Sequence, residues 1–421
     1  MEFIRVKNNG PLKGEVVIDG AKNTALPILA ACLLTDEETV ISGVPPLKDI
    51  EIMVQVLESL GARVEYIDDK TLRINIPEIK TIETPFELMN KMRASFLVMG
   101  PMLGRKKAAI NGLPGGCQIG ERPIDLHLKG FRALGANIEE KIDRIEVSVE
   151  DSLVGKKIYL DFPSVGATEN VMMAAVLAKG ETVIDNAAKE PEIVDLSNFL
   201  SKMGAKIRGA GTSTITIEGV DKLHGCEHTI IPDRIEASTY MVAAAITKGD
   251  VLVKNVIGSH IRPVIAKLIE MGVDVIEDPD EDEIRVKVEG DLIATNVRTL
   301  PYPGFPTDVQ SQIMTLMTIA KGESIVEETV FENRFMHVEE LRKMQALIVT
   351  DGNEARIMGV PGLKGAKVKA TDLRAGASMI LAGLIAEGQT DVYDIYHIER
   401  GYHDIVGKLK ALGADIEIIN E

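Results

Sequence analysis

Asp195-Leu-Ser-Asn-Phe-Leu-Ser-Lys-Met-Gly-Ala205 is an amphipathic stretch that ends in an apolar residue, a glycine and a small residue. The same tag returns at Leu60-Gly61-Ala62, Leu134-Gly135-Ala136, Met271-Gly272-Val273 and Leu412-Gly413-Ala414, with Met344-Gln345-Ala346 as a degraded sixth copy. Its second positions, 61, 135, 204, 272, 345 and 413, are spaced by 74, 69, 68, 73 and 68 residues, a period near 70. Glycine closes a helix because it enters the left-handed conformation without a Cβ penalty. Alternating residues such as Arg63-Val64-Glu65 and Asp415-Ile416-Glu417 follow the tag, so each helix hands over to a strand.

A second stretch in each repeat is almost wholly small or apolar: 25–34, 94–103, 170–178, 238–247, 310–320 and 375–386. A helix apolar on every side is buried on every side. Four of them end in Lys179-Gly180, Lys248-Gly249, Lys321-Gly322 and Glu387-Gly388, again a glycine stop. Each repeat thus supplies one outer amphipathic helix, one inner buried helix and several short strands, and the strands must cover the inner helices. Familiar solenoid repeats run to roughly 20 to 50 residues. Two closed groups of three repeats suit 421 residues better than one open array.

The formal charge of −17 argues against a nucleic-acid or anionic-membrane surface, so Lys and Arg have to be judged locally. Apolar runs stay short of the roughly 18 residues that suggest a membrane span. Cys32, Cys117 and Cys226 are too few and scattered for a disulfide framework, and Met1 to Lys7 lacks a signal-peptide pattern. A cytoplasmic protein is expected.

Just before the inner helices stand Lys22-Asn23, Met92-Arg93, Ser164 to Thr168, Pro232-Asp233-Arg234, Thr307-Asp308 and Thr371-Asp372-Leu373-Arg374. The acids can be read as N-caps with no further role, Asp308 and Asp372 among them. The cations resist that reading, because Lys22, Arg93, Arg234 and Arg374 face the positive end of a helix dipole unless an anion offsets them. Arg334 and Arg400 sit in short polar turns, as anion binders or as surface salt-bridge partners. Gly112-Leu-Pro-Gly-Gly-Cys-Gln-Ile-Gly120 carries Cys117 next to Glu121-Arg122-Pro123. It is either a plain turn or a loop that closes over a ligand with a reactive thiol. His224, Cys226 and His228 alternate as on one strand face but have no evident fourth metal ligand, and Cys32 reads as a core residue.

Ala21-Lys22-Asn23, Met92-Arg93-Ala94-Ser95, Leu113-Pro-Gly-Gly-Cys117, Arg122-Pro-Ile-Asp-Leu-His127, Glu190-Pro-Glu-Ile-Val-Asp195, Phe305-Pro-Thr-Asp308, Phe331-Glu-Asn-Arg-Phe335, Thr371-Asp-Leu-Arg374 and Arg400-Gly-Tyr402 together span the chain. In these motifs it resembles the UDP-N-acetylglucosamine 1-carboxyvinyltransferases of the enolpyruvyl transferase family. The resemblance implies an α/β fold, an inside-out barrel of two domains, each of three repeats with buried inner helices and outer strands. It places 22–231, with the Cys117 loop, in one domain, 1–21 plus 232–421 in the other, and the active site in the cleft between them.

The implied reaction moves the enolpyruvyl group of phosphoenolpyruvate to the 3′-hydroxyl of UDP-N-acetylglucosamine by addition and elimination. Phosphate leaves, and the reaction opens peptidoglycan synthesis. By motif position Cys117 would be the general acid, able to form an adduct with phosphoenolpyruvate and open to alkylation by fosfomycin. Asp308 would accept the hydroxyl proton, with Lys22 and Arg400 also catalytic. Lys22, Asn23, Arg122, Arg334, Arg374 and Arg400 would hold phosphoenolpyruvate, helped by Arg93. Asn23, Arg93, Arg122, Pro123, Ile124, Asp125, Leu126, Phe162, Pro163, Ser164, Val165, Asp308 and Val330 would contact the sugar nucleotide. The resemblance implies no metal or organic cofactor, no nucleic acid and no membrane insertion, and leaves the oligomeric state open. The rivals are a 5-enolpyruvylshikimate-3-phosphate synthase, whose loop lacks Pro-Gly-Gly-Cys, and a repeat protein that only binds a nucleotide sugar.

Overall fold

The structure is a computed structural model that describes residues 2–113 and 124–420. The chain folds into two compact units, one of residues 2–19 and 232–420, the other of 20–113 and 124–231. Each has its own apolar core.

Within each unit the same motif occurs three times. In the unit built from 232 onward, Asp250–Lys254 follows an inner helix, an outer helix spans Arg262–Glu270, and Asp274–Asp278 and Glu283–Lys287 form a hairpin. The hairpin's second strand pairs antiparallel with Asp250–Lys254, whose other edge takes Lys13–Val17 in parallel. The sheet of Leu347–Asp351, Glu354–Met358, Glu323–Glu327 and Val297–Arg298 repeats this order. So does the sheet of Asp415–Asn420, Glu2–Lys7, Gln389–Tyr393 and Lys367–Lys369, in which the N-terminal strand supplies the missing third member. The other unit has two four-stranded sheets of this order and a three-stranded one, Ala108–Gly112, Arg144–Ser148 and Asn137–Glu140, with a single parallel bridge from Glu83 to Ile110 at the remaining edge.

The sheets bury one face, as the alternating burial of Asp250–Lys254 and Glu283–Lys287 shows, and the inner helices bury every face. In Arg234–Ile246 only Arg234 escapes full burial, and in Leu373–Gly383 only Leu373. Packing outweighs local propensity here. Pro27 lies inside Lys22–Ala31, where a proline costs about 3 kcal/mol, yet Leu26, Ile28, Leu29 and Leu33 are each buried and contribute about 1.5 to 3 kcal/mol apiece.

The glycine tags behave as helix stops, with φ of 114° at Gly61, 96° at Gly135, 102° at Gly204, 87° at Gly272 and 96° at Gly413. Gln345 holds the same left-handed conformation, φ 71°, so the degraded copy keeps the turn. Of the four glycines that follow the inner helices, Gly180, Gly322 and Gly388 are left-handed, with φ of 86°, 111° and 93°, and Gly249 needs a correction. At Lys248-Gly249 the left-handed residue is Lys248, φ 51°, and Gly249 serves close packing: a Cβ there would come within 2.3 Å of the Leu12 carbonyl oxygen. The inner helices also end earlier than their composition suggests. Val165–Ala175 gives way to a tighter turn, with Ala178 N donating to Ala175 O at 3.0 Å. The second begins as a 3-10 turn, Arg93–Val98, before Met99–Lys106.

Candidate active site

The acids at the helix starts divide into two kinds. Asp372 is an N-cap whose Oδ1 accepts from Arg374 N at 2.8 Å and Ala375 N at 3.2 Å, and Asp233 caps Ile235 and Glu236 in the same way. Ser164 caps Ala167 N at 3.3 Å. Asp308 is placed differently. It lies in the 3-10 turn Thr307–Val309, and its Oδ1 meets Arg334 Nη2 at 3.1 Å and Arg374 Nε at 3.3 Å.

Both guanidiniums are buried, 4 % and 5 % exposed at the side chain, whereas Asp308 keeps 32 %. Arg334 is therefore no surface salt-bridge partner. It also reaches Asp372 Oδ1 at 3.7 Å and the Thr307 carbonyl at 3.4 Å. Burial works against the charge on Arg374, but Asp308, Tyr402 and Asp233 more than offset it and hold the group above the ordinary arginine value. Beside this cluster His337 is buried, which lowers its pKa to about 4; Asp372 opposes that shift and Arg334 adds to it. Arg400 is half-buried on the turn before Tyr402, and Val330 is half-buried with its N–H on Glu328 Oε1 at 2.8 Å.

In the other unit Lys22 opens an inner helix and is buried, with Nζ on Asp49 Oδ2 at 3.1 Å. Asp49 stands in the first turn of Lys48–Leu60, where the helix dipole favours an anion. Asn23 and Arg93 are half-buried at their helix starts. The segments 124–126 and 162–165 belong to this unit too. Asp125 and Phe162 are exposed, Ile124, Leu126, Pro163 and Val165 half-buried.

His127 abuts the second segment: a Cβ on Gly166 would lie 3.2 Å from its Cε1. Asn170 fixes the ring, donating Nδ2 to His127 Nδ1 at 3.0 Å and to Phe96 O at 3.0 Å, while its Oδ1 accepts from Gly100 N at 2.7 Å. With Nδ1 an acceptor, Nε2 carries the proton. Burial, then Arg93, lowers the His127 pKa to about 3, so the ring is neutral.

Cys117, Arg122 and Pro123 lie outside the described residues. Of the other expected residues, Asp308, Arg334 and Arg374 come together in one unit, with Arg400 and Val330 elsewhere in it; Lys22, Asn23, Arg93, 124–126 and 162–165 belong to the other. Asp49, His127 and Tyr402 carry contacts that the sequence reading did not assign. His224 is exposed with Nδ1 2.9 Å from Gly225 O, whereas His228 is buried with Nε2 3.0 Å from Asp195 Oδ1. Among the described residues no cluster of three or more His, Cys, Asp or Glu is placed to hold a metal ion. Cys32 is a core residue, its thiol pushed up by burial. No helix among the described residues is long and apolar enough to cross a membrane.

This architecture is shared with solved enolpyruvyl transferases. The enolpyruvyl transferase NikO from Streptomyces tendae superposes with a TM-score of 0.89 at 23% identity, covering 99% of this chain and 98% of its own. EPSP synthase from Acinetobacter baumannii does so with 0.78 at 18% identity, covering 100% of both. The family model of EPSP synthase (3-phosphoshikimate 1-carboxyvinyltransferase) matches residues 6–409.

The UDP-N-acetylglucosamine 1-carboxyvinyltransferase of Finegoldia magna is 66% identical, covering 100% of this chain and 99% of that protein. UDP-N-acetylglucosamine 1-carboxyvinyltransferase 1 of Staphylococcus aureus is 54% identical over 100% of both. The chain belongs to the EPSP synthase family of enolpyruvyl transferases, in its UDP-N-acetylglucosamine 1-carboxyvinyltransferase branch.

Proposed function

We propose that the protein transfers the enolpyruvyl group of phosphoenolpyruvate to the 3′-hydroxyl of UDP-N-acetylglucosamine and releases phosphate, the first committed step of peptidoglycan synthesis. The observation that carries this reading is the 54% to 66% identity, over the whole chain, with relatives named for that activity. Identity to an EPSP synthase is 18%, which disfavours shikimate 3-phosphate as the acceptor.

In the proposed chemistry a proton from Cys117 reaches C3 of phosphoenolpyruvate as the sugar oxygen bonds to C2 and gives its own proton to Asp308. The tetrahedral adduct then loses a proton from C3 and expels phosphate, which restores the double bond. A thiol fits the acid role because its ordinary pKa, about 8.5, can be brought toward neutrality by neighbouring cations. Lys22, Arg122 and Arg400, with Asn23, Arg93, Arg334 and Arg374, hold phosphoenolpyruvate and offset charge on the leaving phosphate. Asn23, Arg93, Arg122 to Leu126, Phe162 to Val165, Asp308 and Val330 contact the sugar nucleotide.

Two features of the geometry support these roles: Asp308 is a partly exposed carboxylate clasped by two buried arginines, and a neutral His127 packs against Gly166, the residue that follows the 162–165 segment. In this reading the enzyme works in the cytoplasm, and residues 22–231 form the domain of the Cys117 loop. Intact-mass measurement tests it: phosphoenolpyruvate should add to the wild-type protein and not to Cys117→Ser, which should also lose most turnover. A serine variant with wild-type rates would contradict the acid role.

A further inference from the structure

The Tyr402 hydroxyl is buried among the starts of three inner helices of one unit. It lies 2.9 Å from Thr239 Oγ1 on Arg234–Ile246, 3.3 Å from Gln312 Nε2 on Gln310–Met317, and 3.3 Å from Arg374 Nη1 on Leu373–Gly383. The hydrogens close the network. Thr239 donates its own proton to Ile235 O at 2.9 Å, so Tyr402 donates to Thr239 and accepts from Arg374, while one amide hydrogen of Gln312 is shared between Tyr402 at 3.3 Å and Thr239 Oγ1 at 3.2 Å. Burial raises the tyrosine pKa, with Arg374 opposing that shift, so the hydroxyl keeps its proton. Gln312 uses its other amide hydrogen on the Asp308 carbonyl at 2.9 Å, and its Oε1 accepts from Ser311 Oγ at 3.0 Å.

One hydroxyl therefore binds both ends of the Asp308–Arg374 pair. It touches Arg374 at Nη1 while Nε of the same guanidinium faces Asp308 Oδ1, and through Gln312 it reaches the main chain of Asp308. We propose that Tyr402, working with Gln312 and Thr239, is a positioning residue that sets Arg374 and Asp308 in register before substrate arrives. The proposal rests on the reading of Asp308 as the base and Arg374 as a phosphate-side cation. A guanidinium that loses this anchor still attracts a ground-state anion. It no longer matches the charge that grows on the leaving phosphate, nor does it hold the carboxylate at the reacting hydroxyl.

Tyr402→Phe removes the hydroxyl and keeps the ring, and phosphate release with phosphoenolpyruvate and UDP-N-acetylglucosamine gives kcat and both KM values. With the rate normalised to the folded fraction measured by circular dichroism, the expected result is a kcat about tenfold lower with each KM within about twofold of wild type; the normalisation is needed because loss of folded protein also lowers the apparent kcat at constant KM. Gln312→Met removes the second anchor. The double variant should lose less than the product of the two single losses, because both changes act on one contact. A Tyr402→Phe enzyme with wild-type kcat, a loss accounted for by a lowered folded fraction, or strictly multiplicative losses would overturn the positioning role while leaving the assigned reaction in place. A wild-type enzyme that releases no phosphate from this substrate pair would overturn the assigned reaction and this role with it.

Discussion

Asp308 Oδ1 lies 3.1 Å from Arg334 Nη2, whereas Asp372, the acid at the matching place in the next repeat, spends its Oδ1 on two backbone N–H groups. Equivalent positions thus carry different chemistry. Asp308→Asn keeps the shape and an acceptor for Arg334 but removes the base. It should lower kcat by about 10²- to 10⁴-fold, a loss that persists when the rate is counted per folded enzyme, and it should also cost stability because Arg334 and Arg374 lose a charge that offsets their burial. Asp372→Ala should leave the kcat per folded enzyme far less affected while costing about 1 to 2 kcal/mol in urea unfolding, chiefly from the lost cap. Equal effects of the two substitutions on both quantities would remove the distinction.

Gln345 is a non-glycine residue at φ 71°, a conformation that costs an L-residue about 1 to 2 kcal/mol. Gln345→Gly restores the tag found in the other repeats. Urea unfolding should show a gain of about 1 kcal/mol at unchanged m-value, after the greater entropy of glycine in the unfolded chain is set against the relieved strain.

Glu236 is buried with Lys408 Nζ at 2.6 Å from Oε1 and Asp19 N at 2.8 Å from Oε2. Burial raises its pKa from 4.5 to about 7, with Lys408 opposing that shift and Asp19 and Asp233 adding to it. The folded protein therefore holds this proton more tightly than the unfolded chain does. That contribution is full below pH 4.5 and is lost as pH climbs through about 7. Glu236→Gln lacks this dependence. The difference in Tm, variant minus wild type, should rise between about pH 5 and pH 8, on top of a pH-independent loss from the altered contacts. A flat difference would show that Glu236 does not titrate in that window.

Lys22 and Asp49 are both buried and paired at 3.1 Å. Removing one member of a buried pair strands the other, typically at a cost of about 3 to 5 kcal/mol. Asp49→Ala should destabilise the protein by that order, and Asp49→Ala with Lys22→Met should recover part of the loss. Thermal unfolding of the single and double variants measures this.

The repeat was legible because it is written locally: a glycine tag and a wholly apolar helix need only short stretches of chain to show themselves. What depended on distant partners was not. Glu2–Lys7 completes the last sheet by pairing with Gln389–Tyr393 and Asp415–Asn420, at the other end of the chain, and nothing in its own residues names those partners. Asp308 and Asp372 look alike in sequence because each stands before a buried helix; Asp372 turns out to cap its helix, whereas Asp308 receives both Arg334 Nη2 and Arg374 Nε. Tyr402 stood in a quoted motif, Arg400-Gly401-Tyr402, but a hydroxyl that links three helices is invisible until those helices are brought together. His127 likewise became interpretable only with Asn170 fixing its tautomer.

The most direct measurement of the central claim is phosphate release from phosphoenolpyruvate with each of two acceptors, UDP-N-acetylglucosamine and shikimate 3-phosphate. Release with the UDP-sugar alone is the predicted result. Release with shikimate 3-phosphate alone, or with neither under conditions where the Staphylococcus aureus relative turns over, would contradict it.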